Sequence, residues 1–210
     1  MTKIVPALLA KDISKFETDM AVVDKFSNRV QMDIVDGKFI DVETVMPEVL
    51  LAMDVVAEVE AHLMVEEPIE WIDRCVGAGI TAVYGHVEKM SDKMAFVAKA
   101  EEEGLRTGLA FDLETSLVGI DEWINMVDSV LLLAVKTGAQ GQPFDVRVIE
   151  KIKKIRELSS SVTIMIDGGL NEENIRKCLE AGGEKMEFAV GSAILTAEDP
   201  EATFSKLAEI

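Results

Sequence analysis

Short apolar runs alternate with amphipathic stretches along the whole chain. Residues 4–9 read as a strand, and the following helix starts at Asp12 as N-cap and reaches about residue 26. A second strand covers 30–35, and a short helix over 45–53 carries Pro47 in its first turn. A third strand covers 55–63. Pro68 then opens a helix holding Trp71, Ile72, Cys75 and Val76, closed by Gly77 and Gly79. Strand four covers 81–87, with a helix over 92–103 that stops at Gly104. Strand five covers 106–111, with a helix over 116–123. Strand six, 129–135, is almost continuously apolar. A Gly- and Gln-rich loop over 137–142 leads to a basic helix over 145–158. Strand seven covers 162–166, and Asn171 caps a helix reaching 181. Strand eight covers 186–190, and a last helix covers 200–207.

Apolar strands separated by helices imply a parallel sheet covered on its faces. Eight such units in 210 residues predict one (β/α)8 TIM barrel, a single domain over 1–210. A doubly wound open sheet is the alternative. It fits less well, because no Gly-rich turn follows the first strand.

One stretch departs from this pattern in an informative way. In Gln31-Met32-Asp33-Ile34-Val35-Asp36-Gly37, Met32 and Ile34 alternate with Gln31, Asp33 and Val35, and Asp-Gly marks a turn. Asp33 therefore sits near the C-terminal end of a strand, facing opposite to Met32 and Ile34. A carboxylate there is costly unless it is paired, ligates something or does chemistry.

Composition narrows the class. The 39 acidic residues against 21 basic ones give a net charge of −18, which repels nucleic-acid backbones. An anionic substrate gains no long-range steering, so any phosphate site must be local. No apolar run reaches the ~18 residues needed to cross a bilayer, and no secretory leader is evident at the start. Cys75 and Cys178 lie far apart in helix-like segments and read as reduced core thiols, so the expected compartment is cytoplasmic.

Functional residues of a barrel gather at the C-terminal ends of its strands. The candidates there are Gln31, Asp33, His62, His86, Lys136 and Asp167. A lone strand histidine is more often a hydrogen-bonded core residue. Here the chain's only two, His62 and His86, stand at adjacent strand ends beside two aspartates. Three loops read as a phosphate cradle: Gly138 to Gly141, Gly168-Gly169 and Gly191-Ser192. Glycines let backbone N–H groups approach an anion closely. The same glycines also serve any tight βα turn.

The order and spacing of these segments resemble the ribulose-phosphate 3-epimerase family along nearly the whole chain. Pro6 to Asp12 resembles the family's opening P-S-I-L-S-A-D, and Gln31 to Phe39 resembles its H-V-D-V-M-D-G-H-F. Ala61-His62-Leu63-Met64 with Pro68 is similar to V-H-L-M and the proline after it. Residues 135–142 resemble a degraded V-N-P-G-F-G-G-Q. Ile166 to Leu170 resembles V-D-G-G-I, and Gly191 to Ile194 is similar to G-S-A-I.

The resemblance implies epimerisation beside a ketone, with Asp33 and Asp167 as acid–base groups on opposite faces of an enediolate. It implies D-ribulose 5-phosphate and D-xylulose 5-phosphate, or a related ketose phosphate, as the interconverted pair. It implies a divalent metal (Zn, Fe, Mn or Co) on Asp33, His62 and Asp167, with Gln31 at a fourth ligand position. Phosphate would lie on Gly138, Gly141, Gly168, Gly169, Gly191 and Ser192. Ala7, Met64, His86 and Lys136 would face substrate, and the chain would form a homo-oligomer.

This chain departs from the family at several of these positions. Gln31 replaces a histidine, and an amide is a far weaker ligand than imidazole for transition metals. Ala7 replaces a serine, and Val35 and Leu133 replace methionines. Lys38, Asp112 and Lys136 replace a histidine and two asparagines, and Thr137 and Gln140 replace a proline and a glycine. Three readings therefore stand. The first is an epimerase-like isomerase. The second is a Schiff-base enzyme using Lys136, since Val135-Lys136-Thr137 resembles the lysine segment of deoxyribose-phosphate aldolase. The third is a non-catalytic phosphosugar-binding barrel without metal.

Overall fold

The computed structural model describes residues 1–137 and 141–210. Eight parallel strands close into a barrel in sequence order: β1 (Lys3–Leu8), β2 (Arg29–Val35), β3 (Glu58–Met64), β4 (Ala82–His86), β5 (Arg106–Phe111), β6 (Ser129–Leu133), β7 (Thr163–Asp167) and β8 (Met186–Val190). β1 pairs with β8, so no edge remains and the open-sheet alternative is excluded. The outer layer includes α1 (Ile13–Val23), α2 (Ile72–Gly77), α3 (Lys93–Glu102), α4 (Val148–Leu158), α5 (Glu172–Gly182), α6 (Ser192–Leu195) and α7 (Pro200–Ala208).

Helix starts follow side-chain caps. Asp12, Asp92, Asn171 and Asp199 each accept from the backbone N–H three residues on, at 2.9–3.0 Å. Two expected helices are instead 3₁₀ turns, Pro47–Ala52 and Ile120–Glu122. Pro47 opens a segment too short for a stable α-helix, and Gly119, at φ 79°, breaks the run that 116–123 needed. The third strand starts later than expected, at Glu58.

Alternation along each strand sorts residues into two cores. Met32, Ile34, Ala61, Leu63, Val83, Ile164 and Ile166 join the core that includes the helices. Val5, Ala7, Tyr84, Leu131, Leu133, Met165 and Ala189 belong to a separate cluster inside the barrel. The same parity turns Arg29, Gln31, Asp33, Glu60, His62, His86, Asp167 and Glu187 inward. Register then stacks them in layers, Gln31 beside Glu60 and Asp33 beside His62.

At the N-terminal end of the barrel, Glu60 is fully buried among cations. Arg29 Nε donates to its Oε1 at 2.9 Å and Arg106 at 2.6 Å, and the Tyr84 hydroxyl donates to Oε2 at 3.3 Å. Arg29 also donates to Glu187 at 2.7 Å, and Lys3 does so at 3.2 Å. Sequence reading did not pick out this network.

At the other end, the turn after β2 is held by Asp36. Its carboxylate accepts from the N–H groups of Lys38, Phe39 and Glu66 at 2.8–3.0 Å, tying this loop to the one after β3. Thr44 Oγ1 accepts from Val35 N–H and donates to the Asp33 carbonyl, both at 2.9 Å. The end of β2 is thus fixed from both sides, and Asp33 with it.

Candidate active site

Asp33, His62 and Asp167 converge from β2, β3 and β7 at the C-terminal mouth of the barrel. One ligand-type atom from each lies within 4.8 Å of the others. His62 Nδ1 is 3.1 Å from Asp33 Oδ1 and 3.4 Å from Asp167 Oδ2. Gln31 Nε2 donates to the same two oxygens, at 2.9 and 2.8 Å. Two carboxylates are therefore bridged by one imidazole and one amide.

Burial and mutual repulsion shape their protonation. Asp33 is pushed above the ordinary carboxylate range, first by burial and also by the Asp167 charge, despite hydrogen bonds from His62 and Gln31. Burial alone would lower His62. Its hydrogen bonds to Asp167 and Asp33 outweigh that and push it up to about 9. The cluster thus retains a proton at neutral pH.

Behind His62 stands a second layer. His62 Nε2 lies 2.9 Å from His86 Nε2, and His86 Nδ1 lies 2.9 Å from Glu88 Oε2. Glu88 is held at about 2: burial would raise it, but the His86 hydrogen bond prevails. Burial keeps His86 below its ordinary value, hence neutral. An ionised Glu88 accepts only, so His86 carries its hydrogen on Nδ1 and offers Nε2 as acceptor. His62 must then donate through Nε2, which aims its Nδ1 at the aspartates. The ring of Phe39, 4.7 Å from that of His86, covers this layer.

A cavity opens over the cluster at the mouth of the barrel. Asp33, His62 and Asp167 line its floor; Ala7, Met64 and Leu133 line its apolar side. Gly141, Gly168, Gly169, Gly191 and Ser192 line the side formed after β6, β7 and β8. Gly169 has no room for a side chain: its φ is 63°, and a Cβ would meet the Phe144 backbone N at 2.4 Å. Gly138 lies outside the described residues.

Two candidates sit elsewhere. His86 is fully buried behind His62 rather than at the cavity wall. Lys136 is exposed and does not line the cavity; among the described residues no lysine does. Glu88 was missed by sequence reading, although its spacing of two from His86 was the available signal.

Asp33, His62 and Asp167 could hold a divalent ion, as the family resemblance implies. The fourth position does not fit one. Gln31 presents N–H donors, not a lone pair, to the oxygens a cation would use, and its Oε1 is buried without a hydrogen-bond partner.

The chain is similar to known proteins along nearly its whole length. The ribulose-phosphate 3-epimerase of Aquifex aeolicus is 32% identical over 214 residues, covering 99% of this chain and 96% of that protein. That of Schizosaccharomyces pombe is 29% identical over 211 residues, covering 98% of this chain and 92% of the relative. Among solved structures, orotidine 5'-monophosphate decarboxylase from Methanocaldococcus jannaschii superposes with a TM-score of 0.67 at 15% identity, covering 100% of this chain and 98% of that one. The tryptophan synthase α-subunit of Pyrococcus furiosus reaches 0.68 at 15% identity, covering 100% of this chain and 98% of that one. These structures share the barrel fold. A sequence model of the Ribulose-phosphate 3 epimerase family matches residues 3–195, and the chain belongs to that family.

Proposed function

We propose that this chain is an isomerase that interconverts D-ribulose 5-phosphate and D-xylulose 5-phosphate, or a closely related ketose phosphate. The observation that carries the proposal is the meeting of Asp33 and Asp167 from β2 and β7, with β1 and β8 between them, on the floor of one cavity. One carboxylate removes the C3 proton and the other delivers a proton to the opposite face of the planar enediolate. Asp33, raised by burial and by the Asp167 charge, starts as the acid; Asp167, more open to the cavity, starts as the base. After one turnover the roles are exchanged, which matches a reversible reaction. His62, aimed by His86 and Glu88, turns Nδ1 to the two aspartates and stabilises charge on whichever of them is ionised. The glycine-lined wall takes the phosphate through backbone N–H groups, independent of the chain's net negative charge.

The aldolase-like reading lacks a lysine in the cavity among the described residues. The homo-oligomer and a cytoplasmic location remain part of this proposal; no described helix is long and apolar enough to cross a membrane. Incubation of ribulose 5-phosphate with the protein in D2O tests the reaction. Deuterium is expected at C3 with formation of xylulose 5-phosphate. No C3 exchange, with or without added metal, would refute the isomerase.

A further inference from the structure

We infer that the Gln31 amide takes the place of a bound cation between Asp33 and Asp167, so that this carboxylate pair works without a metal ion. The inference rests on the two-aspartate reading and concerns what holds that pair together. Gln31 is fully buried on β2, in the layer just below Asp33. Its NH2 group has two hydrogens, and two carboxylate oxygens stand at hydrogen-bond distance, 2.9 and 2.8 Å. Those are the oxygens that face His62 Nδ1, the point where three ligand atoms would meet on an ion.

The amide could serve a metal only by turning over. Its Oε1 would then face two carboxylate oxygens. Both N–H groups would move to where Oε1 now lies, buried and without a partner. As it stands, one carbonyl oxygen is unpaired; turned over, two donors are. Proteins tolerate an unpaired buried carbonyl more readily than an unpaired N–H. The amide oxygen would also be a poorer donor than imidazole to the metals that favour nitrogen ligands. Geometry and donor chemistry therefore agree on the N–H-inward arrangement, in which the amide ties the two acids by charge-assisted hydrogen bonds.

Metal stoichiometry tests this directly. Wild type, Gln31→His and Gln31→Glu are stripped with EDTA, dialysed against Zn²⁺ or Mn²⁺, and assayed by elemental analysis and thermal shift. Wild type is expected to stay sub-stoichiometric with an unmoved Tm. Gln31→His is expected to load fully and to gain affinity by no less than the ~10–100-fold that outer-shell changes already produce. Gln31→Glu, which puts a carboxylate oxygen in the same place, covers the case in which the histidine variant does not fold. Near-stoichiometric metal on wild type overturns the inference. So does a folded Gln31→His or Gln31→Glu that stays empty, because something other than Gln31 would then keep the ion out. Deuterium exchange separates this from the isomerase reading. Exchange by EDTA-treated wild type supports both. Exchange only after metal is restored overturns the role of Gln31 and leaves the isomerase standing.

Discussion

The two ends of the barrel interior bury carboxylates in opposite ways. At the N-terminal end, Glu60 and Glu187 meet Arg29, Arg106 and Lys3, cations that stay charged at any physiological pH. At the C-terminal end, Asp33 and Asp167 share one imidazole and one neutral amide. The first arrangement is saturated: every acid has a permanent partner, and no proton needs to move. The second is short of positive charge, so it holds a proton and can pass it on. Buried acids alone do not mark a site; the deficit of fixed cations around them does.

The sharpest way to break this contrast is a pair of substitutions, one at each end. Asp167→Asn should cut kcat for C3 exchange by about 10²–10⁴-fold, the usual contribution of a general acid–base group, while Tm stays the same or rises. Glu60→Ala should do the reverse. It leaves Arg29 held by Glu187 alone and facing Arg106 without the acid between them, so stability should fall, by less than the roughly 3–5 kcal/mol that a fully unpaired buried charge costs. The activity of whatever remains folded should be unchanged. Denaturant melts and exchange rates on the same preparations check both halves. An Asp167→Asn variant with full activity, or a Glu60→Ala variant as stable as wild type, would erase the distinction.

The two ends should also fail at opposite extremes of pH. His62 is raised from 6.5 to about 9, so its contribution is complete below 6.5 and is lost as pH climbs through 9. That loss is on the order of 3 kcal/mol at most. Asp33, raised above 3.8, works in the same direction from lower pH. Glu187 is lowered from 4.5: burial opposes this, but hydrogen bonds from Arg29 and Lys3 prevail. Its contribution is complete above 4.5 and is lost as pH falls through the lowered value. Tm measured across pH should therefore fall on both sides. His62→Asn should flatten the alkaline limb and Glu187→Gln the acid limb. Limbs that do not respond separately would mean that the two ends are not independent.

Much of the C-terminal end was legible in the sequence, and the other end was not. Asp33, His62 and Asp167 stood at strand ends before turns, where position in a barrel already implies the mouth. The N-terminal network carried an equally simple signal, the parity of Arg29 with Gln31 and Asp33, and of Glu60 with His62. Arg29 stands at the start of β2, away from the turn signal that marks the barrel mouth. His86 shows a different limit. Its strand-end position is correct, but depth is a tertiary property: His62 on the neighbouring strand stands between it and the aspartates, and Phe39 covers it. The direction of the Gln31 amide was likewise invisible. Sequence identified an amide in place of an imidazole, whereas only the two acceptor distances reveal which end of it faces the acids.

The smallest expected effect concerns Lys136, because it belongs to neither end. It is exposed and lies outside the cavity lining, so it neither saturates a buried acid nor faces a substrate carbonyl. A Schiff-base lysine needs a desolvated amine at the reacting carbon, and among the described residues none that lines the cavity is a lysine. Lys136→Ala should therefore change stability by no more than about 0.5 kcal/mol, as surface substitutions do. Deuterium exchange should stay within about twofold of wild type, and borohydride should trap no sugar adduct on either protein. A trapped adduct that disappears in Lys136→Ala would move the chemistry away from the two aspartates. It would also mean that the loop after β6 brings this lysine over the cavity when substrate is bound, a closure that the proton-transfer reading does not require.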